Sequence, residues 1–216
     1  MPANEIQLVI AIRAYCYVLL FVTIGFIAIH CGLNYYHHEI AEIPWLIRQL
    51  FDLDEENNLP TWFSSFLLLN NALVLYLSAQ SSIGADRNYR VLLAAGFLVL
   101  SIDEVAGLHE SLNTAIDINW AIPAGILVIL VGLAFVPFLL SLQRRLAILF
   151  VLSGLLYVSG AICVELLSED MDEKSLAYGF ATALEEGLEM LGALMFLAVN
   201  LAEMKRRQVR IAFQPR

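Results

Sequence analysis

The chain has 216 residues, of which 60% are hydrophobic and 15% are charged, and its formal net charge is −9 at pH 7. Soluble domains contain about 25% charged residues, so this composition excludes an ordinary soluble protein and predicts a polytopic membrane protein. The sequence has no basic groove of the kind that binds nucleic acid, and we expect no nucleic-acid partner. Because no polar linker divides the chain, we expect residues 1–216 to form one integral membrane domain.

Six apolar segments are long enough to cross a bilayer, which takes about 20 mainly apolar residues. In chain order they are Gln7–His30, Thr61–Gln80, Arg90–His109, Trp120–Ser141, Leu146–Leu167 and Ala177–Ala202. The first is expected to be a retained anchor rather than a cleaved signal peptide, because Arg13 interrupts it and no small-residue cleavage site follows. The sequence therefore predicts an all-α fold, a bundle of six transmembrane helices.

Basic residues are concentrated on one side of the predicted bundle. The second loop, the fourth loop and the tail after the last span carry most of them, including Arg87, Arg144 and Lys205. The first, third and fifth loops are acidic, and Arg48 and Lys174 are their only Lys or Arg residues. The positive-inside rule then predicts that both termini are cytoplasmic. We expect the membrane to be a bacterial cytoplasmic membrane.

The first acidic loop, between the first two spans, has two local signals. Its segment from Ile43 to Phe51 contains Trp45 among aliphatic residues and is expected to lie flat at the membrane interface. Asn58 followed by Pro60 predicts a helix start, because Pro is favoured in the first turn of a helix.

Seven acidic side chains lie within the predicted spans, where an ionised group costs at least ~2.5–3.5 kcal/mol. They are Asp103, Glu104 and Glu110 in the third span, Glu165 in the fifth, and Glu185, Glu186 and Glu189 in the sixth. At about 1.5 Å per residue, they reach a similar depth in the outer half of the bilayer. Protons, metal ions or mutual hydrogen bonds must offset their charge. We therefore expect the second, third, fifth and sixth spans to enclose one polar pocket.

Three further residues belong to the same layer. Gly107 is expected to end the third helix before His109, or to let a neighbouring backbone approach closely. Asn70 and Asn71 in the second span reach the same depth. They are expected either to join the pocket or to form hydrogen bonds between helices.

Three strings of the chain resemble a family of bacterial multi-pass membrane proteins that has no assigned activity. The strings are FDLDEENNLPTWFSS at 51–65, LSIDEVAGLHE at 100–110 and EEGLEMLG at 185–192. The likeness covers most of the chain from residue 51 onward. It implies the membrane topology and the choice of site residues, and it implies no reaction.

The leading hypothesis is a divalent-metal site inside the bundle. Carboxylate oxygens with few imidazoles suit Mn, Fe, Mg or Ca, and Zn less well. The expected metal ligands are Asp103, Glu104, His109, Glu186 and Glu189, and the candidate catalytic acids or bases are Glu110, Glu165 and Glu185. A metal with an open coordination position activates water or oxygen. An enzyme of this kind would take a lipid-like substrate from the surrounding membrane lipid.

Three alternatives remain at this stage. The acids form a protonated, hydrogen-bonded network without metal. They relay protons or a cation in a transporter, although no inverted repeat is evident. In the third alternative the chain is an accessory subunit whose acids pair with basic residues of another protein. The sequence selects neither the substrate nor the oligomeric state.

Overall fold

The computed structural model describes residues 11–109 and 119–208. Every regular element in these two ranges is helical, which confirms the predicted all-α class. In chain order the helices are α1 (Ile12–Glu39), α2 (Trp45–Phe51), α3 (Leu59–Gln80), α4 (Gly84–Ala106), α5 (Ala121–Ser141), α6 (Arg144–Ser168) and α7 (Leu176–Arg206). Glu110, one of the candidate site residues, lies outside the described residues, as does the beginning of the first predicted span.

Five of these helices, α1, α3, α5, α6 and α7, are long and apolar enough to cross a membrane. The most apolar is α5, whose side chains are almost all exposed; Ile129 and Leu133 keep 63% and 64% of their surface accessible. Soluble monomers rarely expose a contiguous apolar surface of this size. The helices therefore fit an integral membrane protein.

The third predicted span corresponds to α4, which is less apolar than the other five. Asp86, Arg87 and Arg90 occupy its first turns, and Asp103 and Glu104 lie near its end. Because charged groups sit at both ends, no 18-residue stretch of α4 is as free of charge as the other spans. It packs along α3, with which it makes the most extensive helix contact among the described residues.

Two predicted helix boundaries are confirmed. Asn58 caps α3 by accepting a hydrogen bond from the backbone N–H of Thr61 at 3.1 Å, and Pro60 occupies the first turn. α4 ends at Ala106, and Gly107 follows in the left-handed conformation with φ of +58°. Glycine adopts this conformation without the steric penalty that a Cβ brings.

α7 forms the centre of the bundle, where it packs against α1, α3 and α6. Leu67 of α3 and Met190 and Leu197 of α7 are fully buried in this core. A second cluster contains aromatic pairs, including Phe150 of α6 and Phe196 of α7 with ring centroids 4.6 Å apart. Aromatic packing of this geometry contributes about 0.5–1.5 kcal/mol beyond burial.

α6 and α7 approach each other unusually closely at two glycines. A methyl group at Gly160 would lie 2.5 Å from the backbone oxygen of Glu185, and one at Gly192 would lie 2.5 Å from the backbone nitrogen of Tyr157. Around Gly160 the helix widens into a π-helical segment, Ser159–Val164. Such π segments are frequent at functional sites, and this one carries residues that line a cavity.

The two ends of the bundle differ in charge. Loop residues 52–58 and 169–174 lie together at one end, which we call the acidic end. The other end, the basic end, carries Arg144 and Arg207, and Arg207 lies 3.4 Å from Asp86 at the start of α4. The uneven distribution found in the sequence is therefore preserved in three dimensions.

Candidate functional site

A cavity of about 730 Å³ extends from the acidic end into the bundle between α4, α5, α6 and α7. Nine of its described lining residues carry carboxyl groups. No described lining residue is Lys or Arg. The nine are Asp54, Asp103, Glu104, Glu165, Glu169, Glu173, Glu185, Glu186 and Glu189. We call this space the acidic cavity.

One wall of the acidic cavity is apolar. α5 contributes Ala124, Leu127 and Val128 to it, and α6 contributes Ala161 and Ile162. The carboxyl groups come from α4, α6, α7 and the adjoining loops. The cavity is therefore amphipathic, with a carboxylate-rich side and a hydrocarbon side.

The end of α4 brings Asp103 and His109 together. After the left-handed turn at Gly107, the chain folds back so that Asp103 accepts hydrogen bonds from the backbone N–H and from ring Nδ1 of His109, at 3.1 Å and 3.0 Å. A carboxylate only accepts, so Nδ1 carries a proton. The His109 ring also packs against Trp120, with centroids 4.9 Å apart.

Deeper in the cavity, carboxyl groups from α4 and α7 meet. Ser64 of α3 lies beside Glu104, and Tyr157 of α6 lies beside Glu189. The charges of Glu104, Glu186 and Glu189 act on one another. Like charges in a low-dielectric site repel strongly, so these groups need protons or a cation.

Nearer the acidic end, the site opens toward Glu165 and Glu185. The side-chain nitrogen of Asn119 lies 3.5 Å from a carboxylate oxygen of Glu165, at the limit of a hydrogen bond. Glu165 and Glu185 also act on each other's charge. Glu165 directly follows the π-helical segment of α6, so the widened turn sets its position in the cavity.

The loop 52–58 bridges three helices beside the cavity. Asp52 lies 3.2 Å from Nδ1 of the buried His30 of α1, and Asp54 accepts a hydrogen bond from the hydroxyl of Tyr178 of α7 at 2.9 Å. The carboxylate of Glu56 lies against Gly107, in the space that a side chain at residue 107 would fill. The loop thereby ties the beginning of α3 to α1, α4 and α7.

The two aspartates of this loop have opposite electrostatic surroundings. Burial favours the neutral form of Asp52, but nearby His30, the hydrogen bond from the backbone N–H of Asp54 and the charge of Arg48 outweigh it and hold the pKa of Asp52 below its usual value. Burial raises the pKa of Asp54 despite the hydrogen bond from Tyr178. The same short loop therefore contains one carboxyl group that is stabilised as an anion and one that is not.

The structure brings seven of the eight candidate site residues to the acidic cavity. They are Asp103, Glu104, His109, Glu165, Glu185, Glu186 and Glu189. Asn70 and Asn71 are absent from its lining: Asn70 accepts a hydrogen bond from the hydroxyl of Tyr15 at 2.9 Å, and Asn71 donates one to the backbone oxygen of Ala193 at 2.9 Å. The expected set of four spans is wrong in one member: no lining residue comes from α3, the second predicted span, and α5, the fourth, contributes one wall instead.

Several site residues were missed by the sequence analysis. Tyr157 is a single tyrosine in an apolar span, and nothing in the sequence distinguishes it from a packing residue. Asp54 and Tyr178 lie 124 residues apart, so their contact requires the folded chain. Asp54 lies in the string at 51–65, and the family resemblance of that string is the sequence signal that points to it.

The described residues, at 11–109 and 119–208, contain no preformed metal-binding group. In these ranges no three His, Cys, Asp or Glu side chains converge closely enough to hold a metal ion. The donor groups surround one cavity without forming a coordination group.

The comparison with protein families gives one match. A family model described as "Domain of unknown function (DUF8692)" matches residues 16–204, nearly the whole chain. The chain belongs to the DUF8692 family. The matched range contains all of the candidate site residues. It also contains the residues that line the acidic cavity and the loop 52–58. No curated protein and no solved structure is detectably similar to the chain.

Proposed function

We propose that this chain is a membrane-embedded, cation-dependent enzyme that acts on a lipid-like substrate in the acidic cavity. The observation that carries the proposal is the amphipathic lining of the cavity, with nine carboxyl groups facing an apolar wall from α5. The carboxylate side suits a cation, and the hydrocarbon side suits an acyl or isoprenoid chain. A contact between helices that was purely structural would not need a carboxylate side and a hydrocarbon side around one cavity.

The proposed cation is a divalent metal. Asp103, Glu104, Glu186 and Glu189 offer the hard oxygen donors that Mg, Mn, Ca and Fe prefer, with His109 as the nitrogen donor. Binding would draw together carboxyl groups that otherwise repel one another, in place of the protons that neutralise them without metal. The bound metal would supply an activated water or a Lewis acid.

The remaining acids have a different proposed role. Glu185 and Glu165 lie toward the acidic end of the cavity, where a substrate headgroup would enter, and Glu110 follows His109 directly in the chain. Carboxyl groups in such a position exchange protons with a substrate as general acids or bases. Their reaction partner is the polar part of the lipid-like substrate.

The proposed topology has six spans with the acidic end outside a bacterial cytoplasmic membrane. α4 is the sixth span: its first turn contacts Arg207 at the basic end through Asp86, and Gly107 after its last turn contacts Glu56 at the acidic end. At about 1.5 Å per residue, 23 residues cover about 34 Å. This length matches the hydrocarbon thickness of about 30 Å, and the basic end then faces the cytoplasm.

Proton or cation transport is a second candidate, favoured by buried polar groups beyond the cavity. Asn71 of α3 and Asn200 of α7 are buried, and each has an amide oxygen with no hydrogen-bond partner among the described residues. Arg90, also fully buried, donates a hydrogen bond to Ser78 nearer the basic end. Proton uptake by liposomes that contain the purified protein would favour transport over catalysis.

The cation proposal is tested by titrating purified, metal-free protein with Mn²⁺ and measuring bound metal. We expect saturable binding by the wild type and a loss of affinity of at least tenfold for Glu186→Gln, which removes a proposed ligand. Glu55→Gln is the matched control, because Glu55 is exposed and does not line the cavity. Equal binding by all three proteins would contradict the proposal.

A further inference from the structure

A second pocket, with a volume of about 340 Å³, lies at the acidic end where α1 and α2 end and α7 begins. We call it the vestibule. It shares Asp54, Glu173, Tyr178 and Thr182 with the acidic cavity, but unlike that cavity it is also lined by basic residues. Its lining includes Arg48 and Lys174, the two basic residues of the otherwise acidic loops.

Arg48 is the first indication of what the vestibule binds. Its Nε atom is buried and has no hydrogen-bond partner among the described residues. No described carboxylate lies within 4.0 Å of the charged nitrogens of Arg48 or Lys174, since neither residue takes part in an ion pair. A buried donor without an acceptor is costly. Arginine is the side chain best suited to supply several N–H donors to phosphate.

His38 lies at the same pocket and contacts the backbone on both sides of it. Its ring Nδ1 lies 2.8 Å from the backbone oxygen of Asn34, and its Nε2 lies 2.9 Å from the backbone oxygen of Lys174. These contacts join the end of α1 to the loop before α7 at the vestibule. The neighbouring His37 ring is 5.4 Å from that of His38.

The carboxyl groups of the vestibule have partners within the protein. Asp52 pairs with His30, and Asp54 accepts the hydrogen bond from Tyr178. Glu173 is exposed at the rim. Arg48 and Lys174 are therefore cations of the vestibule that form no ion pair among the described residues, and Arg48 also has a buried Nε without a hydrogen-bond partner there.

The position of α2 indicates where the ligand comes from. Trp45 and Leu46 of α2 keep 64% and 68% of their surface accessible, and Ile47 and Leu50 are also exposed. A short helix with exposed Trp and aliphatic residues lies at the membrane–water interface. Arg48 is turned away from this apolar surface and is half-buried. The vestibule is consequently at the depth of lipid headgroups.

We propose that the vestibule binds the phosphate of an anionic phospholipid headgroup. Arg48 donates to the phosphate oxygens, and Lys174 supplies further positive charge. The ligand class is a phosphate ester, which inorganic phosphate resembles in chemistry. The inference rests on the proposed membrane placement but not on the cation site, since Arg48 does not line the acidic cavity.

The test uses full-length protein in nanodiscs that contain equal amounts of phosphatidylglycerol and phosphatidylcholine, with bound lipid counted by native mass spectrometry. We expect the wild type to retain phosphatidylglycerol selectively and Arg48→Gln to reduce that selectivity at least tenfold. Arg87→Gln is the matched control, because Arg87 is an exposed arginine in the loop at the basic end. Arg48→Lys, which keeps the charge, should retain part of the selectivity and shows that the fold tolerates the change.

A second arm titrates detergent-solubilised protein with inorganic phosphate. Weak or absent binding of inorganic phosphate, together with the loss of lipid selectivity in Arg48→Gln, supports the headgroup assignment. Saturable phosphate binding that Arg48→Gln abolishes, without any preference for phosphatidylglycerol, would overturn it in favour of a free phosphate ligand. Equal lipid selectivity in wild type, Arg48→Gln and Arg87→Gln would overturn the site altogether. We expect Arg48→Gln to bind Mn²⁺ as the wild type does. A failure of the headgroup proposal is then distinguishable from a failure of the cation proposal.

Discussion

Asp103 accepts two hydrogen bonds from His109, one from the backbone N–H at 3.1 Å and one from ring Nδ1 at 3.0 Å. The contact joins the last turn of α4 to the chain beyond the left-handed turn at Gly107. The imidazole is thereby fixed at the edge of the acidic cavity with its proton on Nδ1. A carboxylate that orients a histidine in this way is common at metal and catalytic sites.

The first prediction concerns this pair. Asp103→Asn removes the charge and replaces one acceptor oxygen by an NH₂ group, which cannot accept a hydrogen bond from His109. We expect the free energy of unfolding to fall by about 1.5–3 kcal/mol, the range for hydrogen bonds to a charged group. Thermal unfolding of purified protein, followed by circular dichroism, measures the change. A variant that unfolds at the wild-type temperature would show that the pair does not fix the end of α4.

The second prediction tests the close contact between α6 and α7. Gly160→Ala places a methyl group 2.5 Å from the backbone oxygen of Glu185, so the helices must separate. We expect a loss of about 1–3 kcal/mol, the usual range for overpacking. Gly154→Ala is the matched control on the same helix, because no atom lies within 4 Å of that position. It should be neutral or gain about 0.5–1 kcal/mol from the better helix propensity of alanine. Equal stability of the two variants would contradict the packing described.

The third prediction concerns pH and the loop 52–58. The pKa of Asp52 is lowered in the folded protein, so its stabilising contribution is complete above the unfolded pKa and is lost as the pH falls through the folded pKa. The pKa of Asp54 is raised, so the fold loses stability as the pH rises from the unfolded pKa to the folded one. The pH range in which Asp52 loses its stabilising contribution lies below the usual Asp pKa of about 3.9, and the range in which Asp54 destabilises the fold lies above it.

Variants distinguish the two contributions. In thermal unfolding across pH, Asp52→Asn should lessen the loss of stability below about pH 4, and Asp54→Asn should lessen the loss above it. Asp170→Asn is the control, because Asp170 is exposed in the loop before α7. If Asp52→Asn and Asp54→Asn gave the same pH profile, the opposite assignments would be wrong.

The sequence revealed much of the fold because its signals are local. Apolar length gave the spans, Asn58 and Pro60 gave the start of α3, and Gly107 gave the end of α4. The depth of each acidic residue in the bilayer, counted from the nearest loop, placed the acidic residues of separate helices in one layer. These arguments need only the rise per residue and the identity of nearby residues.

The rest of the site depends on contacts between distant segments. Tyr157 lies beside Glu189 because two glycines let α6 and α7 approach, and the hydrogen bond between Asp54 and Tyr178 exists because the loop folds across α7. Neither contact has a local pattern. The apolar wall from α5 was also missed, because depth arguments follow polar residues alone.

The fourth prediction tests the hydrocarbon wall of the acidic cavity. Leu127→Trp adds a large ring to a lining residue of α5 and should reduce the amount of lipid that co-purifies with the protein, measured by mass spectrometry. Ile129→Trp is the matched control on the same helix, since Ile129 is equally exposed but does not line the cavity. An amphiphilic ligand that fills this space requires its volume, so we expect at least a severalfold difference. Equal lipid content would indicate that no lipid-like molecule occupies the cavity.

The central claim, a divalent cation held by carboxylates of α4 and α7, is tested most directly by thermal unfolding with and without a chelator. Ligation requires ionised carboxylates, and a ligand that binds only the folded state raises its stability. We predict that chelation lowers the melting temperature of the wild type. Glu186→Gln should melt at the lower temperature and be insensitive to chelator, whereas Glu55→Gln should behave as the wild type. An unchanged melting temperature on chelation, with a higher one for Glu186→Gln, would identify a neutral polar core and contradict the cation site.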